Sequence, residues 1–152
     1  MKRGVQKRVP APGQQRSHHL FAAYDWLDDE VTALPTERKD SESFIAFLEH
    51  LLLARYCDQV VVLVLDNASI HKSAASLAAL SLFEHRIYVV WLPPYCSTLN
   101  AIERYFRHLK DQVAINTLHP DLAALVAAAQ RELLAQNDSA NPNRFAFLKD
   151  IP

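Results

Sequence analysis

Asp66 and Glu103 are the two residues of this 152-residue chain whose type and placement best suit chemistry. Asp66 closes the run from Val60 to Leu65, six apolar residues leading into one carboxylate. Glu103 follows Leu92-Pro93-Pro94-Tyr95 and Leu99-Asn100-Ala101-Ile102, where the chain leaves a rigid corner and enters a helix. Carboxylates at the ends of elements can hold divalent ions that activate an attacking oxygen and stabilise a leaving one, the chemistry of cutting and joining phosphodiesters. Mg²⁺ suits an oxygen-only site completed by waters and substrate phosphates, with Mn²⁺ as the alternative. Each acid also has a plain structural use. Asp66 can form a turn or cap the segment starting at Ala68. Glu103 can favour a helix N-terminus or pair with Arg107 one turn on.

The elements that must position these acids follow from the apolar pattern. A run rich in Val and Leu over Gln59–Leu65 reads as a strand buried on both faces, with Asp66 at its carboxyl end, where ligands gather in open α/β sheets. His18–Tyr24 and Glu30–Leu34 read as a strand pair joined by a turn at Leu27-Asp28-Asp29. Ser41 is a candidate N-cap for a helix whose Phe44, Phe47, Leu48, Leu51 and Leu52 recur at helical spacing. A helix over residues 73–84 turns Leu77, Leu80 and Phe83 to the core, and Arg86–Leu92 is a further strand ended by the two prolines. Asn100–Ala114 is a helix with an apolar stripe of Ile102, Phe106, Leu109 and Val113 beside a polar one of Glu103, Arg107 and Lys110. Asp121–Gln136 is another helix. The organisation is a basic arm (1–16), one α/β domain with a mixed sheet (17–136) and a loosely packed tail (137–152).

Composition excludes several classes. Half the residues are hydrophobic and 22% are charged, ordinary for a globular domain, and the net charge is −1. Charge is nevertheless uneven: Lys2, Arg3, Lys7, Arg8 and Arg16 lie in an arm without acids, which suits a phosphate-rich partner or a solvated terminus. Cys57 and Cys96 make no metal-binding or disulfide pattern, which fits a reduced, cytoplasmic setting. No apolar run approaches a membrane span. Gly4 and Gly13, the only glycines, leave no glycine-rich phosphate loop. Trp26, Trp91 and Tyr95 are expected to pack rather than stack on bases.

Leu65-Asp66-Asn67-Ala68-Ser69-Ile70-His71, together with Leu92-Pro93-Pro94-Tyr95, Leu99 to Glu103 and Leu109-Lys110, resembles the second and third catalytic blocks of bacterial insertion-sequence transposases of the mariner superfamily (the IS family numbered six hundred and thirty). Thirty-six residues separate the two acids, which agrees with that family's usual interval. The resemblance spans roughly residues 2 to 115. Lys2-Arg3-Gly4 resembles the piece after the family's first strand, and Leu20 to Trp26 its second strand and hairpin. Ala101 and Cys96-Ser97 depart from the proline and Ser-Pro common in the family.

The resemblance implies an RNase H-like mixed sheet flanked by helices, lacking the usual first strand and the catalytic aspartate it carries. Asp66 and Glu103 become the second and third acids of a metal-holding triad, with Asn67, His71 and Asn100 in support. The activity implied is Mg²⁺-dependent (Mn²⁺ possible) cleavage and strand transfer on DNA, usually at TA targets, by a bacterial protein acting at the nucleoid. Lys2, Arg3, Lys72, Arg104, Arg107 and Lys110 are candidates for the DNA track, since phosphates are contacted mainly by such side chains. Asp25, Asp28, Asp29 and Glu30, the early acids, are expected to serve the hairpin turn. On this reading the chain alone is inactive, marginally folded, and either a remnant or one half of a product joined to an upstream transposase half, with self-association a further option. The alternative is a non-catalytic DNA-binding or assembly remnant.

Overall fold

The computed structural model describes residues 18–96, 99–115 and 118–149. Among the described residues, four strands form two separate two-stranded sheets. The first is an antiparallel hairpin of β1 (His19–Asp25) and β2 (Glu30–Thr36), with Phe21 opposite Leu34 and Tyr24 opposite Val31. Its turn is made by the expected acids. Asp25 accepts the N–H groups of Leu27 at 2.9 Å and Asp28 at 3.4 Å, Asp29 adopts φ 55°, and Glu30 pairs with Arg55. Aspartate tolerates that left-handed conformation better than most residues.

The second sheet pairs β3 (Val61–Leu65) with β4 (Ile87–Trp91) in parallel, Val61 beside Ile87 and Leu65 beside Trp91. Between the two sheets in sequence lies α1 (Ser41–Glu49), continued by a wider π-type turn, His50–Arg55. Asp40, not Ser41, is its cap: the carboxylate accepts the Ser43 N–H at 2.9 Å. The one-residue offset arises because a cap needs extended backbone, which Asp40 has. After β3 come α2 (Ser69–Lys72) and α3 (Ala74–Leu82), then β4, α4 (Ala101–Leu109) with its continuation Lys110–Ile115, α5 (Leu122–Asn137) and α6 (Ala146–Lys149).

Two cores result. One joins Phe44, Phe47, Leu48, Leu51 and Leu52 beneath β3 and β4, and reaches Phe21 and Ala23 on one face of β1. The other joins Leu20, Ala22, Tyr24 and Val31 on the opposite face of the hairpin to Tyr105, Leu109, Val113, Phe145 and Leu148. Alternation along β1 thus serves both cores, as period-two geometry dictates.

Four expectations are corrected. The strand ending at Asp66 is not buried on both faces: Val62 and Val64 are 64% and 44% exposed, and Tyr88 and Val90 beside them are also open. The reason is that α4 and α5 pack on the hairpin, leaving that face of β3–β4 bare. Leu77 is exposed; α3 buries Ser76, Ala79 and Leu80 instead. Tyr105, outside the expected stripe, is the fully buried anchor of α4, whereas Ile102 and Phe106 are partly exposed. The segment after Asn137 is packed: Phe145 and Leu148 are buried, and the buried Gln136 accepts the Phe145 N–H at 2.8 Å.

Sheet edges differ in a way the hydrogen bonds define. Asn137 on α5 accepts the Val31 N–H and donates to the Val31 carbonyl, both at 2.8 Å. Val31 therefore turns its backbone groups away from β1, which makes Val31–Tyr24 a non-hydrogen-bonded pair. By alternation, Leu20, Ala22 and Tyr24 turn their N–H and C=O groups away from β2. In the parallel pair, the Val61 N–H reaches Arg86 O at 2.8 Å and the Leu92 N–H reaches Leu65 O at 2.9 Å. Odd residues of β3 therefore face β4, and Val62 and Val64 face the other way.

Candidate active site

Asp66 leaves the sheet immediately after β3, and its carboxylate is about one-third exposed. Oδ1 accepts the Ala68 N–H at 3.0 Å, the turn-forming contact expected of an aspartate there. The same oxygen lies 2.8 Å from His71 Nδ1. A carboxylate only accepts, so Nδ1 carries the proton in this contact. Both contacts fall on Oδ1, which leaves Oδ2 as the atom for a ligand. His71 is held by α2 and by Phe44, whose ring centre lies 4.6 Å away. This contact restrains the Asp66 carboxylate in the way carboxylate–histidine pairs do. Asn67 ties the exits of the two parallel strands together, donating from Nδ2 to Leu92 O at 2.6 Å.

Glu103 sits exposed in the first turn of α4. Asn100 caps that helix, its side chain accepting the Ile102 N–H at 3.3 Å, while its carbonyl accepts the Glu103 N–H at 3.1 Å. Ala101 starts the helix directly after this cap. Asp66, His71, Asn100 and Glu103 all line one cleft of about 680 Å³ that runs between β1 and β3. The early acids do not line it. Asp25 instead accepts the Tyr56 hydroxyl at 2.9 Å, and Tyr24 is hydrogen-bonded to Asp29. Burial and then that bond to Asp25 push the Tyr56 pKa up to about 12.

A pair of carboxylates with a carboxylate-bound imidazole suits a hard divalent cation. Among the described residues, however, no three His, Cys, Asp or Glu side chains gather closely enough to hold one. The fit is partial: among the described residues the cleft is lined by two acids, Asp66 and Glu103.

Of the cations read as a DNA track, Lys2 and Arg3 lie outside the described residues. Lys72 is exposed and rests over the Trp91 ring at 4.9 Å. Arg104 and Arg107 share α4 with Glu103, and Lys110 begins its continuation, but none of the three lines the cleft; Lys39, His18 and His19 do. Sequence reading passed over these three because no periodic pattern marks them. Two aromatic expectations are corrected. Trp26 is 80% exposed at the cleft, and Tyr95 is fully exposed with φ 62°, so neither is a packing residue. Trp26 sits in a hairpin turn and Tyr95 in the loop after Pro94, where no core reaches them.

A family model described as DDE superfamily endonuclease matches residues 1–126. The Insertion element IS630 uncharacterized 39 kDa protein of Shigella sonnei is 31% identical over 114 residues, covering 75% of this chain and 33% of that protein. The chain thus spans about a third of the length of this relative. Among solved structures, a chain of the simian T-cell lymphotropic virus intasome in complex with the PP2A regulatory subunit B56 gamma matches with a TM-score of 0.57 at 22% identity. The match covers 74% of this chain and 41% of that one. The fold is thus of the RNase H-like mixed α/β class, and this chain belongs to the DDE superfamily endonuclease family.

Proposed function

We propose that this chain carries the second and third acids of a transposase that cuts DNA at the ends of an insertion element and joins the freed ends to target DNA. The observation that carries this reading is that Asp66 and Glu103, from a strand end and a helix start, line one cleft. Family members generally use divalent metal ions, and Mg²⁺ or Mn²⁺ bound by these carboxylates supplies Lewis-acid activation of the attacking oxygen. Asp66 and Glu103 hold the ion, His71 fixes the orientation of Asp66, and Asn100 sets the start of the helix that presents Glu103. Among the described residues no third carboxylate lines the cleft. DNA is the partner, contacted by Lys72, Arg104, Arg107, Lys110 and the arm residues Lys2 and Arg3, and the setting is the bacterial nucleoid. Among the described residues no helix is long and apolar enough to cross a membrane.

The test is Mg²⁺- or Mn²⁺-dependent nicking of supercoiled DNA by the 152-residue chain, with Asp66→Ala and Glu103→Ala as controls. A folded but inactive chain that gains nicking when an acid-bearing strand is supplied, and loses it in either control, supports the reading. Nicking by the chain alone that survives both substitutions overturns it. Salt-sensitive DNA binding indifferent to both substitutions, with no nicking under any condition, favours the non-catalytic module instead.

A further inference from the structure

A second cavity, of about 410 Å³, lies on the face of the hairpin that α4 and α5 cover. Leu20 and Ala33 of the hairpin, Leu109 and Val113 of α4 and its continuation, and Leu125 and Leu133 of α5 wall it. Its origin is the small side chains of Ala33, Ala114 and Ala129, where larger ones would close the gap between hairpin and helices. Leu20 and Phe106 also line the Asp66–Glu103 cleft, but neither acid lines this second cavity.

Its polar groups are of one kind. Lys110, His18, His19 and Gln130 line it, and no acid among the described residues does. The Lys110 ammonium offers three donors and no acceptor. Lys110, His18 and Gln130 are exposed while Leu109 and Val113 are buried, so the cavity is polar toward solvent and apolar within. An apolar interior with a few polar groups, at a volume inside the usual range of roughly 300–1,000 Å³, is the pattern of a small-ligand site. A partner helix fits poorly: one turn, about 10 Å across and about 5.4 Å long, would already fill the space.

We propose that this cavity binds a small amphipathic anion, of the class of a medium-chain carboxylate. The linear tail lies among Leu109, Val113, Leu125 and Leu133, and the head group meets Lys110. Charge complementarity selects the sign of the head, since a cation there would face Lys110 with no lining acid among the described residues to balance it. Burial selects the tail, because each methylene taken up tightens binding by about fourfold. The inference stands on the lining of this cavity and does not depend on the proposed catalysis.

The experiment titrates the full 152-residue chain with octanoate, decanoate and decylammonium, each below its micellar concentration. Binding is read by calorimetry and by the amide nuclear magnetic resonance shifts of the chain. The expected result is saturable binding of decanoate, about fifteenfold tighter than octanoate for its two added methylenes. The shifts centre on Leu109, Val113, Leu125 and Leu133. Decylammonium, with the same tail length, binds at least about fivefold more weakly, the worth of one exposed ion pair. Lys110→Glu inverts that preference and, at an exposed position, leaves the circular dichroism unchanged. Ala129→Leu fills the cavity and abolishes binding of both amphiphiles; the Lys110→Glu arm decides the matter should that variant fail to fold. Equal binding of decanoate and decylammonium overturns the proposal, as does an unchanged preference in Lys110→Glu. Shifts centred on the exposed Val62, Val64 and Tyr88 overturn it too, because the tail then lies on the open sheet face. So does the absence of saturable binding.

Discussion

Asn137→Ala tests the chain's second core through two hydrogen bonds. The Asn137 side chain meets the N–H and C=O of Val31 at 2.8 Å each, and Val31 is 3% exposed. Alanine removes both bonds and leaves a buried donor and acceptor on the outer edge of β2. Net hydrogen bonds are worth about 0.5–1.5 kcal/mol, and a stranded buried group costs about 1–3 kcal/mol, so the loss is about 2–4 kcal/mol. Domains of this size have only about 5–15 kcal/mol in total. With a urea slope of about 1–3 kcal/mol per molar, the midpoint falls by about 1–2 M. The assay is urea unfolding followed by far-ultraviolet circular dichroism. Asn137→Asp is equally damaging at neutral pH, where a carboxylate faces the Val31 carbonyl, and milder near pH ~4, where the carboxyl begins to protonate and can donate. A midpoint shift below about 0.3 M with unchanged slope refutes the reasoning, since the edge is then held by something other than Asn137.

Other predictions are as direct. Tyr105 is fully buried and its hydroxyl has no hydrogen-bond partner among the described residues, so Tyr105→Phe raises stability by about 1 kcal/mol; a loss in the same urea assay shows the hydroxyl is used. The Tyr56 pKa is raised to about 12 by burial and then by Asp25, so its contribution is complete below its unfolded value of 10.0 and is lost as pH rises from there through about 12. Tyrosinate absorbance followed beside thermal unfolding reads this, and Tyr56→Phe removes that part of the alkaline loss. His71→Ala removes one of the two partners of Asp66 Oδ1, and where nicking is observed it falls by roughly 10–100-fold at limiting metal, recovering at high metal. No recovery with metal shows that His71 acts elsewhere.

The strands, the helices and both acids were legible because each rests on local pattern: an apolar run ending in Asp66, a helix entry before Glu103, acids in a hairpin turn. What sequence could not reveal was which faces are covered. Val62 and Val64 have the composition of interior residues, and their exposure depends on where α4 and α5 settle, a long-range outcome. Tyr105 was missed because its neighbours Ile102 and Phe106 make a tidier apolar stripe, whereas burial is decided by Phe145 and Leu148, some forty residues later. The tail looked polar because Gln136, Asn137 and Asn141 are polar. They spend that polarity on backbone groups, as the contacts with Val31, Ala135 and Phe145 show.

The two acids are anchored in different cores. Asp66 follows Leu65, part of the core built on α1, while Glu103 lies between Ile102 and Tyr105, part of the core built on α4. The hairpin strand β1 is the element whose alternating side chains enter both. The separation of the carboxylates therefore depends on how the two cores are joined through β1. Whatever stiffens that joint sharpens the site, and whatever slackens it detunes the acids without touching either one. Substitutions at Phe21 or Ala22, on the strand the two cores share, should then alter nicking although neither residue carries an acid.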